Sequence, residues 1–202
     1  MRTMNKIITI GREFGSGGRE LGRRLSQELQ IAYYDQEIVT EIARRTELSE
    51  RYIREIEEHQ PLLSFPIHVG RSFYPAPNPV WDQRMSVYQE QSSIIREMAE
   101  KSDCVIVGRC ADHVLRDMAP LRIFVYADME SKIRRCREKA PEGEKLTDKE
   151  LRQQITAIDK RRAKYYEFFT GKAWSDRLNY DLCINTTQRV IRDMAPVLAK
   201  MV

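Results

Sequence analysis

Apolar residues along this chain fall into short unbroken runs, separated by longer stretches in which they recur every three or four positions. The run at residues 6–10, Lys-Ile-Ile-Thr-Ile, is β-branched and suits a strand buried on both faces. Similar runs at residues 31–34, 104–107, 121–127 and 181–185 predict four more strands. Helical spacing lies between them. Leu21, Leu25 and Leu29 form one stripe, and Ile38, Val39, Ile42 and Ala43 a second. Val87, Ile94, Ile95 and Met98 mark a long helix over 81–101, and Leu151, Ile155 and Ile158 another from about 148 to 169. A basic helix is predicted over 129–139, broken by Pro141 and Gly143. Val190, Ile191, Met194 and Leu198 belong to a closing helix whose final turns Pro196 interrupts. Ser49 opens a further helix, with Tyr52, Ile53 and Ile56 on its apolar side, ahead of Pro61. Residues 60–80 hold Pro61, Pro66, Pro75, Pro77 and Pro79, so this stretch reads as irregular, and Phe65, Phe73 and Tyr74 read as packing locally in preference to lining a substrate.

Apolar strands alternating with helices predict an α/β protein in three layers: about five mostly parallel strands with helices on both faces. Ligands in such sheets bind beyond the carboxyl ends of the strands. Those ends carry Gly11, Asp35, Gly108 with Arg109, Asp128 and Asn185, so the chemistry is expected there.

Composition narrows the class. At 202 residues the chain suits one domain, with room for mobile subdomains. No apolar run approaches the ~20 residues that span a bilayer, and the five-residue run near the start is too short for a secretory signal. Cys104, Cys110, Cys136 and Cys183 show neither a CxxC pair nor a zinc-site histidine pattern. Cys104 and Cys183 sit in apolar runs and read as buried hydrophobes, which suits a reducing cytoplasmic setting. His59, His68 and His113 are isolated and have no metal-ligand spacing. The net charge of +4 gathers in two clusters. One is Lys132, Arg134, Arg135, Arg137 and Lys139; the other is Lys160, Arg161, Arg162 and Lys164. Such clusters attract polyanions, either nucleotides or nucleic acid, although the first reads better as a solvated helix face.

The first strand runs straight into Gly11, Arg12, Glu13, Phe14, Gly15, Ser16, Gly17, Gly18 and Arg19, which then open a helix. Small residues at this junction let backbone N–H groups close on an anion at the positive end of the helix. The loop departs from the G-x-x-x-x-G-K-[ST] phosphate pattern. Aligned on Gly15-Ser16-Gly17, the lysine position falls on Gly18 and the Ser/Thr position on Arg19. Arg12, Arg19 or Arg23 would have to supply the missing charge, and Ser16 the hydroxyl for Mg²⁺. Asp35 reads either as a Mg²⁺-holding or acceptor-orienting carboxylate or as the N-cap of the helix that follows. Arg109 reads as a phosphate ligand, or as an ion pair to Asp112 or Asp128.

Several separated motifs give the chain a resemblance to the cytidylate-kinase-like family of P-loop proteins. They are the lysine-less loop, Tyr34-Asp35, Val105-Ile106-Val107-Gly108-Arg109 and the run at 121–127. Asp159-Lys160-Arg161-Arg162 with Tyr165-Tyr166, and Tyr180-Asp181-Leu182, complete the match over nearly the whole length. The resemblance implies a P-loop kinase fold and a nucleotide phosphotransferase using ATP and Mg²⁺. It implies a core at residues 4–35 and 103–202, a monophosphate-binding insertion at about 36–102 and a helical lid at about 141–175. It carries a phosphate role to Arg109 and lid charges to Arg161 and Arg162; Arg19 of the loop and Asp35 at its strand end, read from the residues themselves, complete the candidate catalytic set. The chain departs from the family at Cys110, where an aspartate that helps read cytosine is expected, and at Gln36-Glu37 in place of Thr-Gly. Other classes remain: a nucleotide-binding regulatory module without turnover and, less favoured, a nucleic-acid-binding module. Trp174 and Tyr180 read as packing the joint before the last strand.

Overall fold

The computed structural model describes residues 5–51, 53, 79–140 and 146–202, with only the backbone at 79–81. The body of the helix expected after Ser49, nearly all of the proline-rich stretch with its aromatics, and residues 141–145 of the expected lid lie outside the described residues. Strands β1 (Ile7–Arg12), β2 (Ala32–Tyr34), β3 (Cys104–Val107), β4 (Leu121–Tyr126) and β5 (Leu182–Asn185) form one sheet ordered β2–β3–β1–β4–β5. Every pairing in it is parallel. β1 is central, flanked by β3 and β4. The carboxyl ends of all the described strands therefore open on the same side.

Strand alternation explains why each apolar run is continuous. Ile8 and Ile10 face one way with Val105, Val107, Ile123 and Val125, meeting Leu21 and Leu25 of α1 (Gly18–Leu29). Ile191, Ala195 and Leu198 of α7 (Ile191–Ala199) close that layer. Ile7, Cys104 and Ile106 face the opposite layer. There they meet Ile38, Val39 and Ile42 of α2 (Gln36–Thr46), and Ile94, Ile95 and Ala99 of α3 (Pro79–Lys101). The short helix α4 (Ala111–Val114) completes it. Each fully buried isoleucine contributes about 1.5–3 kcal/mol of apolar burial, so both faces are core. Helices α2 and α3 fall within the stretch expected as an insertion, yet they cover a sheet face.

A third, smaller cluster lies beyond the strand ends. Ile133 of α5 (Met129–Glu138) packs with Leu151 and Ile155 of α6 (Asp148–Thr170) around Phe14 of the glycine-rich loop. Thr147 and Glu150 form a reciprocal capping box that fixes the start of α6, and Gly171 in the left-handed region ends it. Helix α7 continues through Pro196. Among the described residues no helix is long and apolar enough to cross a membrane.

One assignment from the apolar runs is corrected. Cys183 lies on the exposed side of β5, which among the described residues pairs only with β4 and sits at the sheet edge. Cys104 is buried, and desolvation pushes its thiol up to about 12. A thiol reagent at neutral pH is expected to modify Cys183 in the native protein and Cys104 only after denaturation. Mass spectrometry of labelled peptides would check the order, and early labelling of Cys104 would contradict this packing.

Candidate active site

β1 stops at Arg12 and α1 starts at Gly18, so five residues make the turn between them. Gly15 and Gly17 take φ of 73° and 83°, the left-handed region where a side chain is strained. The first-turn N–H groups of an α-helix have no intrahelical partner, and Gly17 at the cap of α1 offers them no side-chain acceptor. The positive end of the helix thus faces the strand-end side of the sheet.

The glycines serve close packing. A Cβ on Gly17 would lie 2.7 Å from Ile191 Cδ1, and one on Gly15 would lie 3.0 Å from the Lys132 carbonyl. Their missing side chains would point into the protein, so the density of glycine reflects α5 and α7 pressing on the loop.

Beneath the loop sits a polar layer that the charge pattern did not predict. Lys132 and Arg135 are 5% and 8% exposed, so the first basic cluster is only partly a solvated face. Arg135 donates to the carbonyls of Gly15 and Ser16 at 3.4 Å each, and also to the Thr186 carbonyl. The Thr186 hydroxyl adds a 2.7 Å bond to the Ser16 carbonyl. Lys132 Nζ lies 2.6 Å from Glu13 and 3.0 Å from Asp159. The other Asp159 oxygen accepts the Phe14 N–H at 2.7 Å. Helices α5 and α6 are thereby fastened to the loop.

Above the loop a cleft of about 120 Å³ opens at the carboxyl ends of β1 and β3. Arg12, Arg19, Arg109 and Arg162 all line it. Three of them share Asp35, which is 5% exposed. Arg19 Nε stands 2.6 Å from its carboxylate, Arg109 Nη1 3.5 Å and Arg12 Nη2 3.8 Å. Arg162 donates to the Arg12 carbonyl at 3.3 Å and lies 5.6 Å from the Phe14 ring centroid. Burial, followed by the field of Arg162, pulls the Arg12 guanidinium down to about 9. Desolvation is the main cause, and the neighbouring cations add to it against the opposing field of Asp35.

Asp35 does not cap α2. Its side chain makes no cap bond, and its N–H is taken by Glu37 at 3.0 Å. Arg109 pairs with Asp35, leaving Asp128 to cap α5 through the Ser131 N–H. Asn185, at the end of β5, accepts from the Thr187 N–H. Two of the strand-end residues are therefore local caps and turns, while Asp35 and Arg109 meet in the cleft. Arg161 is absent from the described cleft wall, and Arg23 is exposed on α1.

Gly108, Arg109 and Cys110 have successive φ values of 78°, 57° and 53°. This left-handed turn is held by the buried Gln91, which donates to the Arg109 carbonyl at 3.1 Å. The opposite wall is aromatic: Tyr165, Tyr166, Trp174 and Tyr180, with Cys110 and Asp112. Trp174 and Tyr180 pack on Phe124, at ring-centroid distances of 5.3 and 4.8 Å, as their position suggested, and they also line the cleft. The Tyr166 hydroxyl donates to Asp112 at 2.6 Å. Burial raises the Asp112 carboxyl above its ordinary value.

For a divalent cation the candidate atom is Asp35 Oδ1, buried and without a hydrogen-bond partner, and a cation there would have to displace the guanidiniums of Arg109 and Arg12 that face it at 3.5 and 3.8 Å. Mg²⁺ is commonly held by one or two carboxylates plus phosphate oxygens; Asp35 is one such carboxylate, while Asp112 on the aromatic wall is engaged by Tyr166. The Ser16 hydroxyl is fully buried and donates to the Glu13 carbonyl at 2.8 Å, so it faces away from the cleft.

The all-parallel sheet with a glycine-rich turn opening the helix after its central strand is the P-loop kinase fold. The chain belongs to the cytidylate kinase-like family, which it matches over residues 7–188. It is 26% identical to a cytidylate kinase of Methanopyrus kandleri, the alignment covering 93% of this chain and 88% of that one. An uncharacterized protein from Eubacterium ventriosum superposes with a TM-score of 0.69 at 26% identity, covering 97% of each chain. A shikimate kinase from Bacteroides thetaiotaomicron shares the fold with a TM-score of 0.57 at 15% identity, again over 97% of each chain. Family and fold together support a phosphotransferase of the kinase type.

Two outcomes follow for stability. Replacing Lys132 with methionine strands Glu13 and Asp159 together, and is expected to cost about 3 kcal/mol in urea unfolding. At Asp112 the folded carboxyl binds its proton more tightly than the unfolded one. Its contribution is therefore fully present below the ordinary value of 3.8 and is lost as pH rises through the raised value. Asp112→Asn removes that loss, so its gain in Tm over wild type should be larger near neutral pH than in acid. An equal gain in both would contradict the assignment.

Proposed function

We propose that this protein transfers the γ-phosphoryl group of ATP to a nucleoside monophosphate, cytidylate-like, or to a related small phosphorylated acceptor. The observation that carries the reading is the cleft at the strand ends, lined by Arg12, Arg19, Arg109 and Arg162, the first three of which share the carboxylate of Asp35. Such an excess of fixed positive charge in a partly desolvated cleft suits phosphate groups on both reactants.

In this reading the backbone of Gly11, Gly15, Ser16, Gly17 and Gly18 cradles the donor phosphates at the start of α1. Arg19, Arg109 and Arg162 neutralise the equatorial oxygens of the transferring group, and Arg161 adds charge from the same helix. An oxygen of the acceptor phosphate attacks the γ-phosphorus while the bond to the β–γ bridging oxygen breaks, releasing ADP. The acceptor is already ionised, so positioning and charge neutralisation supply most of the catalysis. Asp35 and the phosphates would hold Mg²⁺, which would supply further neutralisation of phosphate charge there. Residues 36–102 would contribute the acceptor side and residues 141–175 the lid over a core of 4–35 and 103–202. The aromatic wall and Asp112 would face the non-phosphate part of the acceptor, in place of an aspartate at position 110.

One alternative has its own support. Glycine at the lysine position and the inward-facing Ser16 hydroxyl suit a protein that binds nucleotide without turning it over. A nucleic-acid reader is disfavoured, because Lys132 and Arg135 point into the protein.

ADP production from ATP and Mg²⁺, measured against a panel of nucleoside monophosphates and other small phosphates with a no-acceptor control, tests the proposal. Acceptor-dependent turnover is expected, and Arg109→Ala should lower kcat by about 10²–10³-fold with a smaller effect on ATP affinity. ATP binding with no turnover across the panel would favour the regulatory alternative.

A further inference from the structure

Arg12 ends β1 and sends its side chain across the start of α1. A Cβ built on Gly18 would stand 2.5 Å from Arg12 Cβ and 3.1 Å from its Cγ. A Cβ on Gly108 would stand 1.8 Å from Arg12 Nη1. The two glycines, from α1 and from the turn after β3, form the walls of a channel that this arginine fills.

Gly108 has a positive φ that favours glycine in any case. Gly18 does not: it is the first residue of α1, in a conformation that other residues accept. Only neighbouring atoms, above all those of Arg12, exclude a side chain there. Gly18 is also the position onto which the phosphate-loop lysine aligns. A lysine at 18 and an arginine at 12 therefore compete for one space, and this sequence has settled the competition in favour of the arginine.

We propose that Arg12 is the substitute for the phosphate-loop lysine, binding the β- and γ-phosphate oxygens of a nucleoside triphosphate, and that Gly18 is glycine so that Arg12 can reach them. This inference rests on the phosphotransferase reading for its donor.

Its guanidinium lies in the cleft, 3.8 Å from Asp35, with the side chain 14% exposed. A planar fork of donors suits two phosphate oxygens at once, which the point charge of a lysine does not offer. The other candidates fit less well. The Arg19 side chain is 64% exposed and engages Asp35 closely, at 2.6 Å. Arg23 is exposed on α1, outside the described cleft wall. Burial and the neighbouring cations that depress Arg12 are the conditions under which an incoming phosphate gains most.

The test exchanges the two residues. Arg12→Gln keeps the channel filled and should lower kcat/KM for ATP by about 10²–10³-fold. It should also abolish the rise in Tm produced by ATP or by inorganic tripolyphosphate. Gly18→Lys alone should impair both folding and activity through its clash with Arg12. The double variant Arg12→Gly with Gly18→Lys, which removes the clashing Cβ and Cγ, should recover at least about tenfold over Arg12→Gly alone. Wild-type affinity and turnover in Arg12→Gln, or no recovery in a folded double variant, would overturn the proposal. If the double variant does not fold, Arg12→Lys against Arg12→Gln decides: retained tripolyphosphate protection only with lysine supports the role, and equal loss overturns it. Tripolyphosphate protection needs no acceptor, so it reads the role of Arg12 even if the wild type turns nothing over.

Discussion

The cleft depends on a single shared anion. Asp35 follows β2, near one edge of the sheet, yet its carboxylate meets Arg12 from the end of β1, Arg109 from the turn after β3 and Arg19 from α1. Burying a carboxylate is unfavourable unless opposite charge surrounds it, and here three cations do so. The converse holds for the arginines, which could not gather so closely without that counterion. One negative charge organises several positive ones and leaves a surplus. The surplus is held in place before any ligand arrives, the condition under which electrostatic stabilisation is most effective.

The phosphate loop is held from the opposite side by different means. Arg135 and Thr186 occupy the carbonyls of Gly15 and Ser16, while Lys132 and Asp159 hold Glu13 and Phe14. With carbonyls tied below, the amides at the start of α1 keep their orientation on the cleft side. Asp159 and Arg162 lie within one turn of α6, so the same helix both braces the loop and carries charge to the cleft. Movement of that helix and the shape of the loop are therefore linked.

The fold was legible because its signal is apolar. Strands buried on both faces admit few polar residues, and the runs at β1, β3 and β4 stand out for that reason. Asp35 and Arg109 were legible from their places at strand ends. Lys132 and Arg135 were not, since a charged residue on an amphipathic helix looks alike whether water or a row of carbonyls faces it. Only the Glu13 and Asp159 carboxylates, 119 and 27 positions away from Lys132 in the chain, reveal the difference for that residue. Arg161 and Arg162 are adjacent and chemically identical, so the helical rotation that brings one to the cleft wall cannot be read from composition. Cys183 was misplaced because an apolar strand at the edge of a sheet has the same composition as one within it.

The left-handed turn at Gly108, Arg109 and Cys110 bears on how this site can evolve. At a φ near 53°, glycine, asparagine and aspartate are most at ease and valine, isoleucine and threonine least. Position 110, where the family resemblance leads one to expect aspartate, is therefore filtered by the backbone before any substrate selects among side chains. Valine, isoleucine and threonine are the alternatives that the turn resists most. Aspartate and cysteine are both unbranched at Cβ, so the two can exchange without the penalty that a β-branched residue would bring to the turn that aims Arg109.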